Sequence, residues 1–353
     1  MRRIIISVIL LTCSLIAFCG EFKEDGLYAV IHTSMGKMGF RLYYERVPVT
    51  VGNFVGLAEG TIEFTNMKSG KKEKRPFYNE LIFHRVVKGF VIQAGCPLEN
   101  GMGNPGYSFV DEFDPGLNHN SRGILSMANS GPNTNGSQFF ITLKPASNLN
   151  NRHSVFGKMV YGEDVLTEIG NVKTDNQNKP IEDVFIKSIR IVKIGKDAKA
   201  FDAEKAFAQN KELLKNYKEK QDKWLKSLLS KLGVKEDRIV SNESGLRYYV
   251  KRRGKGRKPS VGDIIKAHYS GYLIYGKKFD SSYDRNQPFE TPIGVRRVIQ
   301  GWDEAFLDMR KGEKRVLIIP HHLAYGRRGM PPFIPPGATL VFEVELLSIK
   351  KGN

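Results

Sequence analysis

Residues Phe83 to Gly95 read FHRVVKGFVIQAG, and the fold of the first half of the chain turns on this stretch. It sets one cation, Arg85, among Phe83, Val86, Val87, Phe90, Val91 and Ile92, with Gln93 as a neutral polar neighbour. The alternation in Phe90-Val91-Ile92-Gln93 suits a strand that points Arg85, Phe90 and Gln93 into a shared space. A guanidinium keeps its charge and holds five donors in a fixed fork, which suits a site that must hydrogen-bond a carbonyl. The plain alternative is a β-rich core with an arginine at its rim. A second stretch, Ser126 to Thr142 (SMANSGPNTNGSQFFIT), places the turn formers Gly131, Pro132, Asn133, Asn135 and Gly136 between two apolar runs.

Together these stretches resemble the cyclophilins, a family of peptidyl-prolyl cis-trans isomerases. FHRV…GFxIQxG followed by MANxGPNTNGSQFFIT is a long paired signature. The resemblance runs from about residue 26 to 195, the first expected domain, and implies a closed eight-stranded β-barrel with helices capping its ends. It also implies that Arg85 donates to the twisted prolyl amide. Phe90, Val91, Phe140 and Leu149 would line the proline pocket, with His84 beside Arg85 and His153 at the edge. Gln93 and Asn129 would hold the substrate backbone, and Ala128 leaves room for it. Cyclosporin-sensitive members carry Trp where this chain has Asn148. Retained isomerase activity with weak cyclosporin binding is therefore expected.

The chain has 353 residues, enough for two or three domains that each bury a core. With 41% hydrophobic and 26% charged residues it has the composition of a globular protein. The formal charge of +18 allows attraction to nucleic acid, anionic lipid or acidic proteins. Its basic residues are spread along the chain, without zinc-finger spacing or an RNA-recognition motif, so no specific nucleic-acid partner is expected. At the N-terminus, Arg2 and Arg3 precede an apolar run from Ile4 to Cys19 that is short for a membrane span and suits a secretory signal over residues 1–19. Ile16-Ala17-Phe18-Cys19 resembles a lipoprotein cleavage box, with Phe18 where a small residue is usual. Export to the periplasm or cell envelope is expected, with Cys19 a candidate lipid attachment point. An uncleaved anchor or cleavage next to Gly20 stay open as alternatives. Of three cysteines, Cys96 is left alone in the folded part, so no disulfide framework supports it. Cys96 reads as a packing residue.

In order, LYAVIHT and MGFRLYY form a hairpin about Met35-Gly36-Lys37. Pro48 opens a helix with Val51, Phe54, Val55 and Leu57 on its apolar side, closed by Gly60. Asn66 to Arg75 is a polar, basic loop. GMGNPG at 101–106 lacks the ending of a phosphate loop. VYGEDVLTEI (160–169) reads as a second capping helix and VFIKSIRIVKI (184–194) as the closing strand. From 198 to 240 the character changes: no Pro, no Gly before Gly233, and Leu214, Tyr217, Leu225, Leu228 and Leu232 at helical spacing. One long helix or a helical pair joining two domains is expected there, with its stripe docked on a neighbouring domain or, second, in a dimer seam.

From Ser241 the period returns to two. IIKAHYSGYLIYGKKFDSSYDRNQPFE, VIQGWDEAFLDMRKGEKRVLIIP, AYGRRG and IPPGATLVFEVELLSI then follow. These resemble the FKBP-type isomerases from about residue 245 to 349, within an expected second domain of 241–353. The family implies a twisted antiparallel sheet wrapped on a short helix near Trp302 to Met309. It also implies an aromatic pocket of Tyr269, Phe279, Phe289, Trp302, Tyr325 and Phe342, with Val298, Ile299 and Ile334. Asp280, Tyr325 and the Ile299 N–H would supply polar contacts, with Arg285 paired to Asp280. Met330 stands where His is frequent, and Phe333 fills another loop position. The whole resembles a dual immunophilin of mainly β structure with some α.

An amide's rotation barrier of about 18–20 kcal/mol comes from resonance, so a catalyst need only stabilise the twisted form. No covalent step, cofactor or metal is expected; His84, His153, His268, His321 and His322 lack a convincing ligand set. The expected partners are unfolded or partly folded proteins with Xaa-Pro bonds, and the second site would take macrolide immunosuppressants. The competing reading is a paired scaffold that binds prolyl segments with little turnover.

Overall fold

Alternation of apolar residues over 26–42 and 186–194 dictates strands, and the chain builds its first sheet from them. The computed structural model describes residues 22–326, 329–330, 333–335 and 337–352. The proposed signal and Cys19 lie outside these residues. The chain divides into two compact units, one of 1–128 with 135–210 and one of 129–134 with 211–353. Among the described residues no helix is long and apolar enough to cross a membrane.

The first unit runs β1 (Gly26–Thr33), β2 (Gly36–Leu42), α1 (Pro48–Glu59), β3 (Phe64–Thr65), β4 (Lys72–Glu73), β5 (Arg85–Val87), β6 (Val91–Ala94), β7 (Ile124–Met127), β8 (Phe139–Thr142), β9 (Val155–Tyr161), α2 (Glu163–Gly170), β10 (Ile186–Ile194), α3 (Lys196–Ala200) and α4 (Ala203–Ala208). Eight strands form one sheet in the order β10-β1-β2-β9-β7-β8-β6-β5. The expected closed barrel is not fully laddered. The end strands β10 and β5 do not pair, so the sheet is open; the chain just before β5 meets the start of β10 through backbone hydrogen bonds of Glu80 N–H to Ile186 (2.8 Å), Ile186 N–H to Leu81 (2.8 Å) and Phe83 N–H to Val184 (2.9 Å), about the bridge of Ile82 and Phe185. The second capping helix starts at Glu163, because Val160 and Tyr161 belong to β9.

α1 has Pro at its start and the left-handed Gly60 at its end, as its sequence dictates. Val47 gives no side-chain cap; instead the Glu112 carboxylate, from a distant loop, accepts the N–H groups of Val49 (3.2 Å) and Thr50 (2.6 Å) and the Thr50 hydroxyl (2.7 Å). Burial pushes the Glu112 carboxyl up. The helix is buried from Val49 to Ala58, and Phe54 meets the rings of Tyr78, Phe139 and Phe156.

The second unit runs α5 (Asn210–Lys231), β11 (Val240–Ser241), β12 (Arg247–Arg252), β13 (Ile264–Leu273), β14 (Lys278–Ser281), β15 (Phe289–Pro292), α6 (Gln300–Asp308), β16 (Lys314–Ile319) and β17 (Leu340–Lys350). Its antiparallel sheet has the order β11-β12-β16-β17-β13-β14, and β15 also pairs with β13. Strand parity sorts the core. Leu317, Ile319, Phe342 and Val344 face α6 and pack with Trp302, Ala305 and Phe306. Val316, Ile318 and Val341 face the other way and pack with Leu228 and Leu229 of α5.

The stretch 198–240 thus holds three α-helical pieces counting the end of α3, and a short 3-10 turn at Glu236–Arg238, rather than one helix or a pair. The buried residues of α5 are Leu228 and Leu229, whereas Leu214 and Tyr217 are only half-buried. The short helix expected at Trp302–Met309 begins two residues earlier and ends one earlier.

Candidate functional site

In the first unit, strand register assembles the signature. Arg85 lies opposite Gln93, Gln93 opposite Phe140, and Phe140 opposite Ser126. Residues opposite one another across a sheet share a face, so these four stand in one row across β5, β6, β8 and β7. The neighbouring row, Ile92, Ile141 and Leu125, is fully buried on the other face. A slip of one residue would exchange the two rows.

The polar members lock one another. Arg85 Nη1 donates to Gln93 Oε1 (3.1 Å), so the Gln93 amide must turn its nitrogen outward, and Nε2 donates to Gln138 Oε1 (3.0 Å). Gln138 Nε2 then donates to the carbonyls of Gly101 (2.9 Å) and Gly103 (2.8 Å), in the glycine-rich turn of 101–106. Gly95, closing the stretch, has φ +83, and a Cβ there would sit 2.4 Å from the Ser137 carbonyl. Phe140 packs edge-on against His153 (5.4 Å) and in parallel with His119 (5.7 Å). His153 Nδ1 donates to the Met127 carbonyl (3.0 Å), and burial holds the imidazole down to about 4. His84 is buried and also held to about 4; the Gln138 amide and the Ile82 backbone partly offset burial, though neither reaches the ring at hydrogen-bonding geometry.

Of the other expected residues, Val91 is buried on β6, and Leu149 ends a tight helical turn, Ser147–Leu149. Ala128 follows β7 and donates its N–H to the Gln138 carbonyl (2.9 Å). Phe90 is not on the strand: its N–H closes a turn onto the Val87 carbonyl (2.9 Å), because Gly89 takes a left-handed conformation just before it. Asn129 belongs to the segment that groups with the second unit, and its Oδ1 accepts the Gly131 N–H (3.3 Å). Cys96 is buried, and its sulfur accepts the Gly103 N–H (3.2 Å).

His119 was not singled out from sequence. It is fully buried, its Nδ1 and backbone N–H both face Asn150 Oδ1 (3.0 and 2.8 Å), and its Nε2 faces Ser126 Oγ (2.9 Å). Gln138 was also missed, although it lies inside the quoted signature. Only the cross-strand register reveals either role.

The second unit holds a cavity of about 490 Å³ lined by Tyr269, Phe279, Asp280, Phe289, Arg297, Val298, Ile299, Trp302, Tyr325, Met330, Phe333 and Phe342. Trp302 is the hub, with ring centroids 4.9 Å from Tyr269, 5.2 Å from Phe342 and 5.9 Å from Phe289. Gly271 on β13 has to be glycine: a Cβ there would meet Phe342 at 2.6 Å and Phe279 at 2.8 Å. The Tyr269 hydroxyl donates to Asp280, and Arg285 donates to both Asp280 and the Tyr269 oxygen. Burial opposes ionising Asp280, but these two hydrogen bonds win and hold its carboxyl below the usual range. Burial and the Asp280 partner push Tyr269 up to about 12. Ile334 does not line the cavity; it lies in the core behind it. Arg297 lines it and was not anticipated. Among the described residues no cluster of three His, Cys, Asp or Glu could hold a metal ion.

Residues 28–191 match the model of the cyclophilin type peptidyl-prolyl cis-trans isomerases. Peptidyl-prolyl cis-trans isomerase A of Mycobacterium tuberculosis is 44% identical over 165 residues, which are 46% of this chain and 91% of that protein. The chain belongs to the cyclophilin family. Peptidyl-prolyl cis-trans isomerase B of Streptomyces anulatus is 44% identical over 168 residues, 47% of this chain and 96% of its own. A solved cyclophilin type isomerase from Cryptosporidium parvum, determined in the presence of the dipeptide Ala-Pro, shares 37% identity; the match covers 48% of this chain and 99% of that one, with a TM-score of 0.40. Residues 255–347 match a second model, the FKBP-type peptidyl-prolyl cis-trans isomerases. This cyclophilin therefore carries two isomerase domains of different families in one chain, and its activity is peptidyl-prolyl cis-trans isomerisation.

Proposed function

We propose that both units turn over substrate, and that the protein speeds the folding of exported proteins at Xaa-Pro bonds, with residues 1–19 as export signal and Cys19 as a lipid anchor. The division of labour is 26–195 for the first catalytic domain, 241–353 for the second, and 198–240 between them. The observation that carries the two-site reading is the aromatic cavity of the second unit, where Tyr269, Phe279, Phe289, Trp302 and Phe342 converge on one space.

The two sites would lower the same barrier by different physics. In the first, Arg85 donates to the amide as it twists and its nitrogen regains a lone pair, while Phe140 and Leu149 hold the prolyl ring. The amide chain from Gln93 to Gln138 supports this role by fixing the guanidinium before substrate arrives. In the second, the planar amide is the more dipolar form, so a poorly hydrated aromatic cavity favours the twisted one. Asp280 and Tyr325 supply its polar contacts, and the same cavity would take a macrolide. Cyclosporin binds weakly at the first site, because exposed Asn148 offers neither the ring nor the donor of a tryptophan.

The test is the isomerase rate of the full chain on an Xaa-Pro peptide series, beside Arg85→Ala and a Tyr269→Ala/Phe342→Ala double variant. Loss of an oxyanion-type donor is worth about a hundredfold or more, so Arg85→Ala should leave only the second site's share. The double variant should remove that remainder. If the rate ignores the double variant, the second unit is a binding module, and the protein is a one-site enzyme with a scaffold attached.

A further inference from the structure

One side of the first sheet has no part in that chemistry. Its four neighbouring strands β10-β1-β2-β9 carry no Asp or Glu. Register sets Lys158, Arg41 and Tyr28 in one outward row, and Tyr161, Val30 and Arg190 in the next. Lys37, opposite His32, stands in the row beyond. The alternate residues of β1, Leu27, Ala29 and Ile31, are fully buried on the inner side. Four cations therefore share one outward face with no carboxylate on its strands, and Lys37 and Lys158 are exposed.

An aromatic cluster occupies the same face. Phe22 stacks on Tyr28, with ring centroids 4.1 Å apart, and tilts against Tyr161 at 5.7 Å. Val30, Val192 and Ile194 pack around these rings. Beside Tyr161 the register shifts, and Val160 is left 49% exposed. The flanking acids lie off the strands: Glu24, which accepts Arg41 Nη1 (2.9 Å), Asp25, and Glu163 and Asp164 at the start of α2. Phe22 comes three residues after Cys19 in the sequence, and three residues of chain span at most about 10 Å.

We propose that this face, with Phe22 at its apolar centre and Lys37, Arg41, Lys158 and Arg190 around it, docks on an anionic phospholipid bilayer. The proposal deepens, and rests on, the reading of Cys19 as a lipid anchor. Phe22 is packed into the fold, so a lipid on Cys19 leaves the chain almost no slack and holds this face at the headgroups. Cations around an apolar, aromatic centre suit that layer, where phosphates lie beside the ends of the acyl chains. The row of Arg85, Gln93, Phe140 and Ser126 stands on the other four strands, β7-β8-β6-β5, so a bilayer against the first four leaves the cleft open to substrate.

The experiment takes residues 20–353, which keep every described residue and carry no lipid, and measures cosedimentation with vesicles. Vesicles of phosphatidylglycerol and phosphatidylcholine should bind the protein, vesicles of phosphatidylcholine alone should not, and added salt should release it. Each cation beside an anionic bilayer is worth about fivefold in partitioning, so Lys37→Glu/Lys158→Glu should weaken binding by at least about 25-fold. Lys215→Glu/Lys226→Glu makes the same change in net charge at exposed positions of α5 and should weaken it far less. A fluorophore on Val160→Cys should leave water on binding, while one on Met102→Cys, in the glycine-rich turn, should not; Cys96 is buried and stays unlabelled. No preference for phosphatidylglycerol, equal losses in the two charge variants, or a silent probe at Val160 overturns the proposal. The anchor is tested apart, from the mass of the full chain made in an exporting bacterium with and without Cys19→Ser. Absence of an acyl mass overturns the anchor reading, while the vesicle measurements still decide the face.

Discussion

Lowering the pH from 8 to 5 should destabilise the first unit by roughly 4 kcal/mol, through two imidazoles. Burial holds His84 and His153 down to about 4, against 6.5 for an ordinary histidine. A histidine held below its unfolded value stays neutral in the fold while the unfolded chain takes up the proton. Its stability contribution is whole above 6.5 and is lost as the pH falls towards 4. At pH 5 the unfolded chain gains about 2 kcal/mol per histidine, from about 1.5 pH units at about 1.4 kcal/mol each, and the fold gains almost nothing. That is a large share of the roughly 5–15 kcal/mol that holds a domain together. Glu112, whose carboxyl burial raises, works in the opposite sense, so the comparison is with variants and not with a flat line. The assay is urea unfolding across this pH range by far-ultraviolet circular dichroism. Tryptophan emission serves as an internal reference, since both tryptophans, Trp224 and Trp302, lie in the second unit. His84→Gln and His153→Gln should each remove about 2 kcal/mol of the pH effect, leaving the part from His119, which burial also lowers and which acts in the same sense. A slope indifferent to both, or stability that rises on acidification, refutes the reasoning.

Leu229→Ala should weaken the second unit by about 2–4 kcal/mol, because the side chain is buried between α5 and the sheet; a tryptophan-detected urea midpoint that does not move would show that the helix is not part of that fold. Asn148→Trp should restore cyclosporin inhibition of the first site with little change in its peptide turnover, and inhibition equal to wild type would remove Asn148 as the cause.

What could be read from sequence was whatever period and punctuation encode. Pro48 and Gly60 bracket α1, and the alternation in 314–319 and 340–346 splits the second core into two faces. The aromatic cavity was legible because its residues stand in motifs of known order. Long-range register was not. Nothing local says that Phe140 stands opposite both Gln93 and Ser126, or that Glu112 caps a helix more than sixty residues earlier. His119 escaped for the same reason: a histidine in a loop gives no sign that it will be sealed between Asn150 and Ser126. Phe90 was misplaced because strand parity was carried one residue too far, into the turn that Gly89 makes. The closed barrel was expected, but the sheet is open: its two ends are joined by a few backbone hydrogen bonds between 80–83 and 184–186 and not by a strand ladder, and periodicity has no voice there.

The chain of amides behind Arg85 has an entropic consequence. A free arginine side chain carries about 2 kcal/mol of rotamer freedom, and a ligand that had to still it would bind correspondingly less well. Here the ordering happens at folding. Two carbonyls of the 101–103 turn orient Gln138, Gln138 orients Gln93, and Gln93 takes one of the guanidinium's five donors. A prolyl segment bound at Arg85 as proposed would meet a donor fork that is already held, with one of its donors spent on Gln93. Sequence change in the glycine turn, remote from the cleft, should therefore register as a loss of order at Arg85 before it registers as a loss of fold.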